Sequence, residues 1–314
     1  MLARIASNLF WMGRYIERAE HVARFTNVNY FSSLDAPNKL SQSRDFVLQS
    51  IYKMAGESEL PTKGIKEETV LFDVGLNPEK NYSIITSIRM ARENANSSRD
   101  LISTEFYESI NKHYHYINNY SVEHFTKTGL YDFTTHVSEQ SAILRGKIRG
   151  TLLHDEVYAL VMLGINIERA IQITRIINVK FEDAEKATGG YANPIINSFE
   201  WTTLLKCAES YDMMRRLYKK VPNQTNTLEF LILNPNCPRS VMNSLNEIFK
   251  HIKQLDALKI KDHDSAAFLV GKTRASYLYK TIDDISEDFK KSIQEILNCL
   301  LEMSVRIEKE YFNY

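Results

Sequence analysis

The sequence predicts an all-α fold: an internally duplicated helical bundle with two long central helices related by a pseudo-twofold axis. Three observations predict it. Turn punctuation is sparse, with 11 Gly and 7 Pro in 314 residues. That is about half the usual density of roughly 7% and 5%, and it leaves few places for hairpins, short strands or glycine-rich nucleotide loops. Two long segments carry apolar residues at helical spacing. Those two segments also match each other residue for residue.

In the first segment Leu2, Ile5, Leu9, Met12, Ile16, Ala19 and Ala23 recur at steps of three and four. They form one apolar face of a helix reaching about residue 30. In the second, Leu153, Leu160, Leu163, Ile167 and Ala170 do the same to about residue 180. Val157, Val161, Ile165, Ile173 and Ile176 make this helix apolar on most sides, so it belongs in the middle of the protein. At an offset of 151, Leu2, Leu9, Gly13, Ile16-Glu17-Arg18-Ala19, Arg24 and Asn27-Val28 match Leu153, Leu160, Gly164, Ile167-Glu168-Arg169-Ala170, Arg175 and Asn178-Val179. Further on, Asn77-Pro78, Ser83 and Ser87 match Asn234-Pro235, Ser240 and Ser244 at an offset of 157. We read two helical repeats, 1–150 and 151–314, packed as one compact unit.

Other helices are expected near 42–54, 82–103, 105–127, 133–149, 196–219, 239–257, 264–280 and 284–312. Turn-rich breaks are expected at 33–39, 55–65 and 183–194. Ser83 and Ser240 stand where an N-cap hydroxyl would satisfy free backbone N–H groups.

Composition excludes several function classes. The chain carries 39 basic and 39 acidic residues, so nothing global suggests a nucleic-acid or membrane-surface protein. The three cysteines, Cys207, Cys237 and Cys299, are far apart and odd in number. Buried thiols in a reducing cytoplasm are expected, without disulfides or a metal site. The opening MLARIASNLFWMGRYIERAE lacks the continuous apolar stretch of a signal peptide. The longest apolar run, Val157 to Ile167, suits a buried core helix and is too short to span a membrane.

The repeated residues are the candidate site. At about 100° per residue, Gly13, Glu17 and Arg24 lie within about 40° of one another, and Gly164, Glu168 and Arg175 repeat that face. Glycine in a helix interior costs about 1 kcal/mol relative to Ala, so its presence twice implies close approach of another backbone. Gly13, Gly164, Arg24 and Arg175 are therefore read as structural. A carboxylate one turn from a close helix contact needs a partner, because an unpaired buried ion costs several kcal/mol. Two readings follow. In one, Glu and Arg from the two halves pair reciprocally across the interface. In the other, Glu17 and Glu168 are catalytic acid/base groups beside a cavity, and Arg18 and Arg169 bind an anionic substrate through their guanidinium forks.

A further cluster occurs in the first half only. Arg89, Arg92 and Arg99 fall on one stripe, with Glu93 and Asn94 nearby. The stripe is either a solvated helix edge or an anion site facing the long helices. No phosphate-binding, dinucleotide, nucleophile-elbow or zinc-protease motif is present. No histidine follows a Glu or Asp by three residues, as a di-iron bundle requires. No metal and no cofactor are expected.

At these residues the chain resembles the alpha-E family, all-helical bacterial proteins with a recurring Glu-Arg motif. The resemblance rests on LARIASNLFWMGRYIERAEHVAR at the start and SIRMARENANSSRD with its core Arg92-Glu93-Asn94. It rests also on Gly164 to Ala170, on LEFLILNPNCPRSV at 228–241, and on Tyr311-Phe312. It covers essentially the whole chain. Asn96 and Phe106 depart from the pattern, where an arginine and a tryptophan are expected. Proteins like this tend to be encoded beside, or fused to, ATP-grasp ligases, with transglutaminase-like and proteasome-like proteins nearby. The resemblance thus implies an accessory role in an ATP-grasp-linked peptide (amide-bond) synthesis or modification system. The partner would be the ligase, or a peptide-like substrate held by Arg18, Arg169, Arg92, Glu93, Asn94 and Arg239. The alternatives are an enzyme using Glu17 and Glu168 on a peptide-like substrate, and a binding module for a small anionic ligand.

Overall fold

The computed structural model describes residues 2–57, 64–188, 194–256 and 258–312. Among them every regular element is helical. In chain order the α-helices are α1 (Ala3–Ser32), α2 (Lys39–Gln42), α3 (Arg44–Ala55), α4 (Glu67–Gly75), α5 (Ile84–Ser97), α6 (Thr104–Asn118), α7 (Val122–Lys127) and α8 (Leu130–Thr151). The second half holds α9 (Glu156–Thr188), α10 (Pro194–Cys207), α11 (Tyr211–Tyr218), α12 (Gln224–Leu228), α13 (Val241–Leu255), α14 (Ala266–Leu278), α15 (Ile282–Ser286) and α16 (Phe289–Phe312).

The long helices α1 and α9 pack on each other at the centre. Helices α5 and α8 flank α1, while α10, α13 and α16 flank α9. A Cβ added to Gly13 would overlap the carbonyl oxygen of Val161, and one added to Gly164 would overlap that of Phe10. Each glycine therefore touches the backbone of the opposite helix, as the repeated Gly implies. Every residue from Val157 to Thr174 is buried. Helix α9 is the one described helix long and apolar enough to cross a membrane, over Glu156–Ala187, and its most apolar window lies wholly inside the fold. The C-terminal Phe312 is buried against the Phe10 ring.

Both expected caps form. Ser83 Oγ accepts from the Thr86 amide at 3.2 Å, and Ser240 Oγ accepts from the Asn243 amide at 2.9 Å. Cys207 and Cys237 are buried and Cys299 is half-buried, all with free thiols.

Several expectations need correction. Leu153 precedes α9 and is 78% exposed, and Leu2 before α1 is 71% exposed; neither belongs to an apolar face. The expected break at 183–194 starts too early. Helix α9 runs on to Thr188 because Asp183 is buried against Ser50 and Lys180; residues 189–193 lie outside the described residues. The single helix expected at 105–127 divides into α6 and α7, with Ser121 Oγ capping the His124 amide. The one expected at 196–219 divides at Glu209, whose φ of 53° cannot continue a helix. Helices α4 and α12 were not anticipated, nor was the π-helical turn Glu229–Leu233 after α12.

Candidate functional site

Helices α1 and α9 carry Glu17 and Glu168 into their shared interface, one turn past the two glycines. The pairing is crossed. Arg169 of α9 donates through Nε and Nη2 to Glu17 of α1, at 2.7 and 2.9 Å. Arg18 of α1 donates through the same two nitrogens to Glu168 of α9, at 2.7 and 3.1 Å. Both are fork contacts of the kind guanidinium makes with carboxylate. One turn further along each helix stands a neutral group. His21 Nε2 lies 3.1 Å from Glu17, and Gln172 Nε2 donates to Glu168 at 2.8 Å. A second arginine completes each site: Arg239 donates to Glu17 at 3.1 Å, and Arg14 donates to Glu168 at 2.9 Å. Glu17 and Glu168 are 0% and 1% exposed, so neither carboxylate faces solvent.

Around Glu17 the network extends. Glu20 accepts from Arg24 and Arg145, and from Arg239 at 3.0 Å. Glu209, at the break between α10 and α11, pairs with Arg239 and with Arg24 at 3.1 Å. Arg239 reaches three carboxylates because its loop is held in place. The hydroxyl of Ser240 donates to the Asn234 carbonyl at 2.5 Å while its oxygen caps α13. Around Glu168, Arg14 also donates to Ser304 of α16 at 2.7 Å, lies 3.6 Å from Glu308, and rests over the Trp11 ring.

A family model described as "A predicted alpha-helical domain with a conserved ER motif" matches residues 1–312. The chain belongs to this Alpha-E family. It contains two Glu-Arg dipeptides, Glu17-Arg18 and Glu168-Arg169, and these are the residues that cross-pair at the centre. Similar proteins include uncharacterised proteins of Mycobacterium bovis and Mycobacterium tuberculosis. Each is 22% identical over 279 residues, covering 80% of this chain and 30% of the relative. The Alpha-E chain thus spans about 30% of the length of the curated relatives it matches. No solved structure matches it.

The electrostatics of this Alpha-E core follow from the pairing. Burial by itself would raise both carboxyl pKa values. For Glu17, the charges of Arg169 and Arg239 and the His21 hydrogen bond outweigh burial and hold the carboxyl well below its usual range. For Glu168, Arg18 and Arg14 do the same. The surplus cations respond in the opposite sense. Burial brings Arg24 and Arg145 down to about 10. His21 is brought down to about 4 by burial, so it is neutral near pH 7 despite Glu17. Among the described residues no cluster of three or more His, Cys, Asp or Glu side chains could hold a metal ion.

The structure therefore gathers Glu17, Glu168, Arg18, Arg169, Arg24 and Arg239 into one interface region, with Gly13 and Gly164 beside them. It leaves Arg92, Glu93 and Asn94 elsewhere, on α5. Arg92 donates to Asn111 of α6 at 2.8 Å and stacks on Tyr114, and Glu93 is exposed. The arginine stripe faces α6 and solvent, as a helix edge does, and the alternative of an anion site facing the long helices is corrected. The apolar stripe of α5 takes the α1 contact instead. Arg175 lines a cavity without an ion-pair partner among the described residues.

Sequence reasoning missed Arg14, Glu20 and Arg145. Glu20 lies three residues from Glu17 on the same face, a spacing that could have marked it. Nothing local marks Arg145. A second buried cluster was also missed. Lys180 Nζ lies 2.9 Å from Glu200, 3.1 Å from Asp183 and 3.2 Å from Asn29. Ser41 and Ser50 donate to those carboxylates. The Lys180–Asp183 spacing inside an apolar helix was the available signal.

Proposed function

We propose that this chain is a non-catalytic helical subunit of an ATP-grasp-linked amide-bond-forming system, holding the ligase or its peptide-like substrate. One observation carries the non-catalytic part. Each glutamate of the Glu-Arg motif is enclosed by two arginines and a neutral donor, away from solvent. A general base needs an available lone pair and a reachable proton. A carboxylate held this low by two guanidinium groups is a poor proton acceptor. The ion pairs instead join α1 to α9, which is the work of a rigid framework.

The reciprocal contacts also support reading the framework as an internal duplication about a pseudo-twofold axis. Gly13 meets Val161 as Gly164 meets Phe10, and Glu17 meets Arg169 as Glu168 meets Arg18. Each contact maps onto the other under the offset of 151. The ligase as partner rests on the family resemblance.

The test is affinity purification of the tagged protein from its own host, followed by amide-ligation assays. A stoichiometric ATP-grasp ligase whose rate rises when this chain is added back supports the proposal. A clean preparation with no ligase, or a ligase indifferent to the chain, overturns it.

A further inference from the structure

Arg24 and Arg175 occupy the same position at the offset of 151, yet they meet opposite surroundings. Arg24 pairs with Glu20, four residues earlier, and with Glu209. The residue corresponding to Glu20 is Ile171. At the offset of 157, Tyr82 stands where Arg239 stands in the other half, and its hydroxyl donates to Glu57 at 2.7 Å. The network that closes around Arg24 is therefore open around Arg175. No hydrogen bond or ion pair reaches the Arg175 side chain among the described residues.

A cavity of about 410 Å³ fills the opening, lined by Arg18, Gly56, Glu57, Lys80, Tyr82 and Arg175, with Glu79 on the rim; Glu57 accepts from Lys80 and from Tyr82, both at 2.7 Å. The size is that of an ordinary small-molecule site. Gly56 ends α3 in the left-handed conformation, φ 101°, and a Cβ there would lie 3.9 Å from Arg175 Nη1. Arg18 directs Nε and Nη2 to Glu168, and its Nη1 makes no hydrogen bond among the described residues. Burial depresses the Arg175 pKa. Glu168 offsets this only in part, and the charges of Arg18 and Arg14 add to it. Of the charged groups lining the cavity, Arg18 pairs with Glu168 and Lys80 with Glu57, which leaves Arg175 as a guanidinium with no ion pair among the described residues.

We propose that this cavity binds the carboxylate of a small zwitterionic molecule of dipeptide size, with Arg175 as the main donor and Arg18 Nη1 as the second. The one guanidinium there without an ion pair among the described residues, Arg175, matches a monoanion. Glu79 on the rim repels a second negative charge and suits an ammonium group, which disfavours phosphate. The site stands whether or not a ligase is the partner.

Calorimetric titration of the full chain with glycylglycine, glycinamide and inorganic phosphate tests this. Saturable glycylglycine binding is expected, with no glycinamide binding and weaker phosphate binding. Arg175→Gln should weaken glycylglycine at least tenfold while its melting temperature holds or rises, because an uncompensated cation is removed. Lys80→Gln, at the wall, is the second variant and should weaken binding less. The proposal is overturned by no saturable heat up to about 10 mM, by tighter binding of phosphate, or by unchanged affinity in Arg175→Gln.

Discussion

At the residue scale, the two glutamates share a plan and differ in one neighbour. Glu168 has Gln172 one turn on, and Glu17 has His21. The difference makes stability pH-dependent. In the native chain His21 titrates near 4, against 6.5 when unfolded. Between those values the unfolded chain binds a proton that the native chain does not. Stability therefore falls as pH drops from 6.5 to 4, by up to about 3 kcal/mol. His21→Gln restores the residue found at the matching position and keeps a donor to Glu17. Urea midpoints measured from pH 4.5 to 7 should vary less in this variant than in the parent. His113, pushed down to about 3 by burial, contributes in the same window, so the difference between the two proteins is the readout. Equal slopes would show that His21 is charged or solvated in the native state. Glu17 and Glu168 act lower on the scale. Their native pKa values are depressed, so their contribution is present above about 4.5 and is lost as pH falls below it.

At the scale of the element, the α1–α9 contact is set by two glycines. Ordinary helix propensity favours Gly→Ala by about 1 kcal/mol. That gain should appear at Gly146 of α8, where an added Cβ meets nothing within 4 Å. At Gly164 the same change drives a methyl into the Phe10 carbonyl. The helices must separate, and the Arg18–Glu168 and Arg169–Glu17 forks stretch with them. We expect Gly164→Ala to lose about 2–4 kcal/mol and Gly146→Ala to gain up to about 1, both read from denaturant melts. A Gly164→Ala protein as stable as the parent would mean the helices are not in backbone contact. The glycines themselves were legible in the sequence, because a costly residue placed twice at one position asks for a reason. The outer members of the Glu17 network were not. Arg239 is 222 residues away and Arg145 bonds to Glu20 across 125, distances over which periodicity carries no information.

For the molecule as a whole, the core runs through the junction of the two halves of the chain. Cutting between 151 and 152 would strip α9 from α1, expose the buried face of both, and leave Glu17 without Arg169 and Arg239. The fragments 1–151 and 152–314 should each fail to show a cooperative thermal transition when expressed alone. Co-expression should recover a complex with native helicity on size exclusion and circular dichroism. A fragment that melts cooperatively by itself would show that this half is an independent domain.

The sequence by itself determined the helical class, the two central helices, the caps at Ser83 and Ser240 and the glycine contact. Each is written in local spacing or local composition, which the backbone reads directly. Only the tertiary structure decided which arginine meets which glutamate, that Arg175 lines a cavity while Arg24 is buried against Glu20 and Glu209, and that Arg92 faces α6. Those outcomes depend on which side chains different helices bring within 3 Å of one another. An ion pair forms where packing places it, and packing is a property of the whole core.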